Sequence, residues 1–123
     1  MNSYARLEAW KAAHHLVLLV YRTTKAFPPE ERFGLSSQLR RAAFAVAANI
    51  AEGSAKRGPR EFRRYLDIAV GSVAELMYTL QLVHDLGLIS DEQFSELEGA
   101  RDRVGRLTWG LYASMRRASA RPE

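Results

Sequence analysis

Between Lys56 and Arg64 the chain sets five cations, Lys56, Arg57, Arg60, Arg63 and Arg64, within nine positions, with Glu61 as the one acid among them. Arg40 and Arg41 precede this cluster, so the stretch from Arg40 to Arg64 carries seven cations against Glu52 and Glu61. Arginine dominates, and its planar guanidinium fork matches phosphate and carboxylate oxygens two at a time. The chemistry these residues point to is phosphate binding along a polyanion, which reads the backbone and not the bases. The bland alternative is a solvated, arginine-rich turn with some pairing to Glu52 and Glu61.

Patterns that would carry catalysis or hold a metal are missing. No Glu has a His three residues on, as a di-iron bundle requires. There is no H-E-x-x-H, no phosphate-binding loop and no G-x-S-x-G elbow. The chain lacks cysteine, which removes disulfides, thiolate nucleophiles and Cys-based zinc sites and fits a reducing compartment. His14 and His15 are adjacent, so on a helix they diverge by about 100°. His14 reads as a hydrogen-bonded core histidine. His84 has no evident carboxylate and nucleophile beside it. No catalytic residue, metal ligand or cofactor is expected.

The elements that must position the basic residues read as four helices, about 5–26, 35–54, 59–86 and 90–117. In the first, Leu7, Trp10, His14, Val17, Tyr21 and Thr24 recur at helical spacing, and Ala9, Ala13, Leu16 and Val20 form an adjacent stripe, so the apolar face is wide. Pro28 and Pro29 stop it. The second carries Leu35, Leu39, Ala42, Val46 and Ile50 and loses its pattern near Gly53. Pro59 and Glu61 suit the start of the third, whose stripe is Phe62, Leu66, Ala69, Val73, Leu76, Leu80 and Val83, with Gly87 as its cap. Ser90 and Gln93 have capping-box spacing at the start of the fourth, which carries Leu97, Ala100, Val104, Leu107 and Leu111 and frays in the final residues. Short connections imply an all-α, antiparallel up-down-up-down four-helix bundle forming one domain. Gly53 to Gly58 is then a hairpin, and the cations around it gather at one end of the bundle, at a helix start whose free N–H groups favour anions.

Two further sets stand out. Asn49, Glu52, Ser72 and Glu75 are polar residues among small ones, and hairpin pairing would set Asn49 near Tyr65 and Ser72 near Ala42. They read as a buried hydrogen-bonded network that fixes helix register. Tyr78, Trp109 and Tyr112 lie off the main stripes beside small residues, a composition that suits a subunit interface. A length of 123 residues bounds the chain to a single core, and the net charge of +4 permits nucleic-acid binding without demanding it. The opening MNSYARLEAW has no long apolar segment, and the longest aliphatic run, Leu16 to Val20, is too short to span a bilayer. The expectation is a cytoplasmic protein with no membrane partner.

The run FPPEERFGLSSQLRRAAFAVAANIAEG, Phe27 to Gly53, resembles the signature of bacterial four-helix-bundle proteins encoded in intervening sequences of 23S ribosomal RNA genes. EFRRYLDIAVGSVAEL, Glu61 to Leu76, and LEAWKAAHHLVLLVY, Leu7 to Tyr21, are similar to the same family, so the resemblance spans nearly the whole chain. It implies a four-helix bundle and a ring-shaped homopentamer, as in relatives that include the accessory protein of diversity-generating retroelements. That relative is basic and binds nucleic acid and a reverse transcriptase, so the resemblance implies RNA or DNA, and a reverse transcriptase, as partners. The family has no established enzymatic activity. The expectation is a non-enzymatic oligomer binding RNA or DNA through Arg40, Arg41, Lys56, Arg57, Arg60, Arg63 and Arg64. The rival is a structural or protein-adaptor oligomer that does not touch nucleic acid.

Overall fold

The computed structural model of the chain describes residues 3–31 and 33–120. A short 3-10 turn, Ser3–Arg6, leads into α1 (Glu8–Thr24). A second 3-10 turn, Pro29–Glu31, precedes α2 (Leu35–Ser54), followed by α3 (Gly58–Asp85) and α4 (Asp91–Ser119). Each helix packs against its two neighbours in a ring, α1 on α2 and α4, α3 on α2 and α4. The architecture is an all-α antiparallel bundle. One pole collects the start of α1, the end of α2, the start of α3 and the end of α4. The expected fraying of residues 121–123 lies outside the described residues.

The hairpins follow from local chemistry. Ser90 caps α4: its Oγ accepts from the Gln93 N–H at 3.1 Å, and the Gln93 side chain accepts from the Ser90 N–H at 2.9 Å. This is the reciprocal capping box that the Ser-x-x-Gln spacing predicts. Gly87 ends α3 with a φ of 76°. The Leu88 N–H donates to the Val83 carbonyl and the Gly87 N–H to that of His84, closing a Schellman motif that only a left-handed residue permits.

The core forms where the apolar stripes meet. Leu16, Leu39, Ile50, Leu66, Leu76, Leu80 and Leu97 are fully buried, each stabilising the fold by about 1.5–3 kcal/mol through area removed from water. By length and composition α3 would pass for a membrane span. Leu66, Ala69, Val73, Leu76, Leu80 and Val83 are buried within the bundle, so the core accounts for its apolar stripe.

Helix α1 departs from expectation. Its buried face is Ala9, Ala12, Ala13, Leu16, Leu19, Val20 and Thr24, so the alanine-containing stripe faces the core and the Trp10–Tyr21 stripe flanks it. Small alanines let neighbouring helices approach closely, and the larger side chains are displaced to the shoulder. His14 is therefore exposed. Its ring stacks on Trp10 at 5.0 Å between centroids, and Trp10 in turn meets Tyr4 at 4.6 Å.

Helix α2 runs through Gly53, leaving a turn of only Ala55 to Arg57. A Cβ at Gly53 would stand 2.7 Å from the Tyr65 Cβ and 2.9 Å from Phe62 Cδ1. At Gly53, α2 and α3 thus approach too closely to admit a side chain without a shift.

Candidate nucleic-acid interface

The tight turn after Ser54 throws Lys56 and Arg57 to the surface, and the first two turns of α3 carry Arg60, Arg63 and Arg64. Arg60 and Arg64 are four apart and share a face. The antiparallel return of α4 brings Arg116 and Arg117 to the same pole. Arg63 Nη1 donates to Ser119 Oγ at 3.3 Å, which fixes that register. A cleft of about 570 Å³ opens here, walled by Arg60, Arg63 and Arg64 on α3 and by Tyr112 and Arg116 on α4, with Glu61 and Asp67 as its acids.

None of these seven cations forms an ion pair with a described residue. Three cations elsewhere do, Lys11 with Glu8, Arg101 with Glu98 and Arg106 with Asp102, all within their own helices, whereas Arg6, Arg22, Lys25, Arg40, Arg41 and Arg103 do not. Helix α3 adds its own field. Its N-cap residue, Arg57, makes no side-chain capping bond, so the positive end of the dipole is not neutralised by a cap. Acids would be the stabilising choice there, yet only Glu61 occupies the first turn. Tyr65 lies between two cations, with Lys56 Nζ 5.4 Å and the Arg64 guanidinium carbon 5.9 Å from its ring centre.

Arg40 and Arg41 do not join this surface. They lie in the second turn of α2, about 20 Å along its axis from the α2 C-terminus. Proximity in the sequence misleads here because a long helix intervenes. Arg40 is also engaged. Its Nε donates to Thr24 Oγ1 at 2.8 Å, and its guanidinium covers the Tyr21 ring at 4.5 Å, clamping α2 to α1. Arg41 donates to the Gln38 side chain. Arg116 and Arg117 replace them, and the signal for these two was the near-equal length of α3 and α4 about the Gly87 turn.

The polar set does not form a network. Asn49 Nδ2 donates to the Ala45 carbonyl at 2.8 Å, within its own helix. Glu52 and Glu75 are exposed, Ser72 is half-buried, and no hydrogen bond joins the four. Tyr65 meets Gly53, one turn beyond Asn49. Register is set instead by close packing at Gly53. Asn49→Ala should then change stability by less than about 1 kcal/mol, since a back-bond to the helix is exchanged for better helix propensity. Urea unfolding checks this.

The off-stripe aromatics separate into two places. Trp109 is 56% exposed and stacks with Tyr112, 5.3 Å between centroids. Tyr78 is 67% exposed. Val73 packs against Gly105, and from that register Tyr78 and Trp109 lie about 14 Å apart along the axis. His84 does have a carboxylate: its Nε2 lies 2.7 Å from Asp91 Oδ1, and its ring stacks on Phe94 at 4.1 Å. The pair ties the α3–α4 turn. No group of His, Cys, Asp or Glu able to hold a metal occurs among the described residues.

Three comparisons bear on this arrangement. The fold is similar to the crystal structure of a protein with unknown function from the S23 ribosomal protein family of Bacteroides thetaiotaomicron VPI-5482. The TM-score is 0.75 at 20% identity, over 85% of this chain and 97% of that one. No curated protein matches the sequence. The model of the 23S rRNA-intervening sequence protein family matches residues 5–110, which covers all of α1, α2 and α3 and most of α4, and the chain belongs to that family.

Proposed function

We propose that the chain is a non-catalytic, oligomeric, cytoplasmic bundle that binds RNA or DNA through its basic pole, with little sequence discrimination. One observation carries this reading: Lys56, Arg57, Arg60, Arg63, Arg64, Arg116 and Arg117 gather at one pole around an open cleft whose acids are Glu61 and Asp67, and none of the seven is held in an ion pair with a described residue. Contacts of this kind grip phosphate oxygens and carry no base code.

Assembly strengthens the same reading. The Trp10–Tyr21 shoulder of α1 leaves Leu18 and Tyr21 exposed, and Phe44 on α2 is 59% exposed. A second copy is the occupant that would cover them. Family resemblance favours a pentamer, which would repeat the basic pole five times and turn a weak patch multivalent. A reverse transcriptase enters as a partner by that resemblance alone.

A second reading has its own observation. Tyr21, Phe33 and Phe44 line a cleft of about 520 Å³ with Arg40 and Arg41, at the pole opposite the basic one. Aromatics beside arginines suit a protein contact, as a protein-adaptor oligomer would require.

The test is a titration of the wild-type protein with a labelled oligonucleotide of mixed sequence at low salt, alongside light scattering. Binding by an oligomer supports the proposal. A monomer that leaves the oligonucleotide free defeats it.

A further inference from the structure

The basic cleft continues sideways onto an aromatic surface. Trp109, Tyr112, Arg116 and Arg117 recur on α4 at spacings of three, four and one, so they lie on adjoining strips of one face. Ala113 and Ala120 fill the positions between. These residues line a second cleft of about 320 Å³. Tyr112 and Arg116 belong to both clefts, so the phosphate-binding cations and the exposed indole share walls. Ala113 stands one turn after Trp109, and alanine is too short to cover the indole.

A core role does not explain Trp109. Trp109 keeps more than half of its surface in water. Its ring neighbour among the described residues, Tyr112, stacks on it at an interplanar angle of 26°. A half-exposed aromatic stack that runs into unpaired arginines is the arrangement used to hold unpaired bases: the cations track the phosphates, and the ring offers a π-face to whichever base arrives. A duplex keeps its base faces covered, so it could use the cations and not the indole.

We infer that the Trp109–Tyr112 stack is a base-binding platform, and that the ligand of this pole is a single-stranded stretch of RNA or DNA lying across the α3–α4 cleft. One unpaired base extends the stack on Trp109, with its flanking phosphates against Arg116 and Arg117 on one side and Arg60 and Arg63 on the other. The inference rests on the basic-pole reading and names the form of nucleic acid that pole takes.

The experiment measures fluorescence anisotropy with three labelled oligonucleotides of equal length: an intact single strand, the same strand with its central bases removed to leave abasic sugars, and a duplex. Wild type should bind the intact strand most tightly. Trp109→Ala should weaken that strand roughly tenfold or more, as loss of a stacked base does, and leave the abasic strand within about twofold. Trp109→Phe should restore most of the loss. In a Trp10→Phe background Trp109 is the sole tryptophan, and its emission should be quenched by the intact strand and not by the abasic one. RNA and DNA versions run in parallel, and whichever binds more tightly names the source.

Equal binding of intact and abasic strands by wild type overturns the platform and leaves the basic pole standing. If wild type binds none of the three at low salt, both readings fall. If Trp109→Ala breaks the oligomer in light scattering and loses all three ligands alike, Trp109 is an interface residue and the platform is wrong.

Discussion

Reversing Arg60 and Arg64 together to glutamate is expected to weaken binding of a single-stranded oligonucleotide by about 100-fold or more. Both side chains are exposed, both wall the cleft at the start of α3, and neither has an acidic partner to release. A hydrogen bond to a charged group contributes about 1.5–3 kcal/mol, so two of them amount to a factor of at least about 100. The new carboxylates add repulsion. The fold should not suffer, because acids in the first turns of a helix favour its dipole by about 0.3–1 kcal/mol each. The variant should therefore keep its oligomeric state, and its unfolding midpoint should equal or slightly exceed that of wild type. Arg41→Glu is the control. It lies at the other pole, about 20 Å away along α2 and beyond a Debye length at physiological salt, so binding should stay within about threefold. Equal losses from both variants would mean that net charge and not the basic pole governs binding.

Gly53→Ala is expected to destabilise the bundle by about 1–2 kcal/mol. The added methyl would sit 2.7 Å from the Cβ of Tyr65, an atom bonded directly to the α3 backbone. No rotamer change relieves that contact, so α2 and α3 must part at the hairpin. Overpacking against an atom with no rotamer escape costs toward the upper end of about 1–3 kcal/mol, and the gain of up to about 1 kcal/mol in helix propensity offsets only part of it. Urea unfolding reads the loss. Because Tyr65, Lys56 and Arg64 are set by the same hairpin, oligonucleotide affinity should fall with it. A midpoint equal to or above wild type would show that the helices adjust freely at this point and that Gly53 does not fix their register.

Much of this architecture was legible in the residues. The α3 stripe is regular and long enough to have one reading, and Ser90, Gln93 and Gly87 announce their turns through side-chain and backbone chemistry that does not depend on the rest of the fold. Helix α1 was not legible because two apolar stripes lie side by side, and only packing against α2 and α4 decides which goes inside. Its alanines win since they allow close approach, which leaves His14 outside. The site divides in the same way. Lys56 to Arg64 cluster through a turn, a local event that the sequence displays. Arg116 and Arg117 arrive through the antiparallel register of α3 and α4, a long-range event. Arg40 and Arg41 were drawn in by nearness along the chain, which a 20-residue helix converts into distance. Asn49 looked like a network residue because it is polar among alanines, yet its side chain is satisfied by its own helix.

The central claim is that unpaired cations at one pole bind phosphates, and the salt dependence of affinity tests it most directly. Wild-type protein should be titrated with a single-stranded oligonucleotide between about 50 mM and about 200 mM salt, and log affinity plotted against log salt. Each phosphate contact on a single strand contributes a slope of about −0.7, so engagement of four to seven cations predicts a total of about −3 to −5. The slope for Arg60→Glu/Arg64→Glu should be shallower. A wild-type slope near zero, or no measurable binding at the lowest salt, would contradict the account and leave the basic pole as a solvated turn.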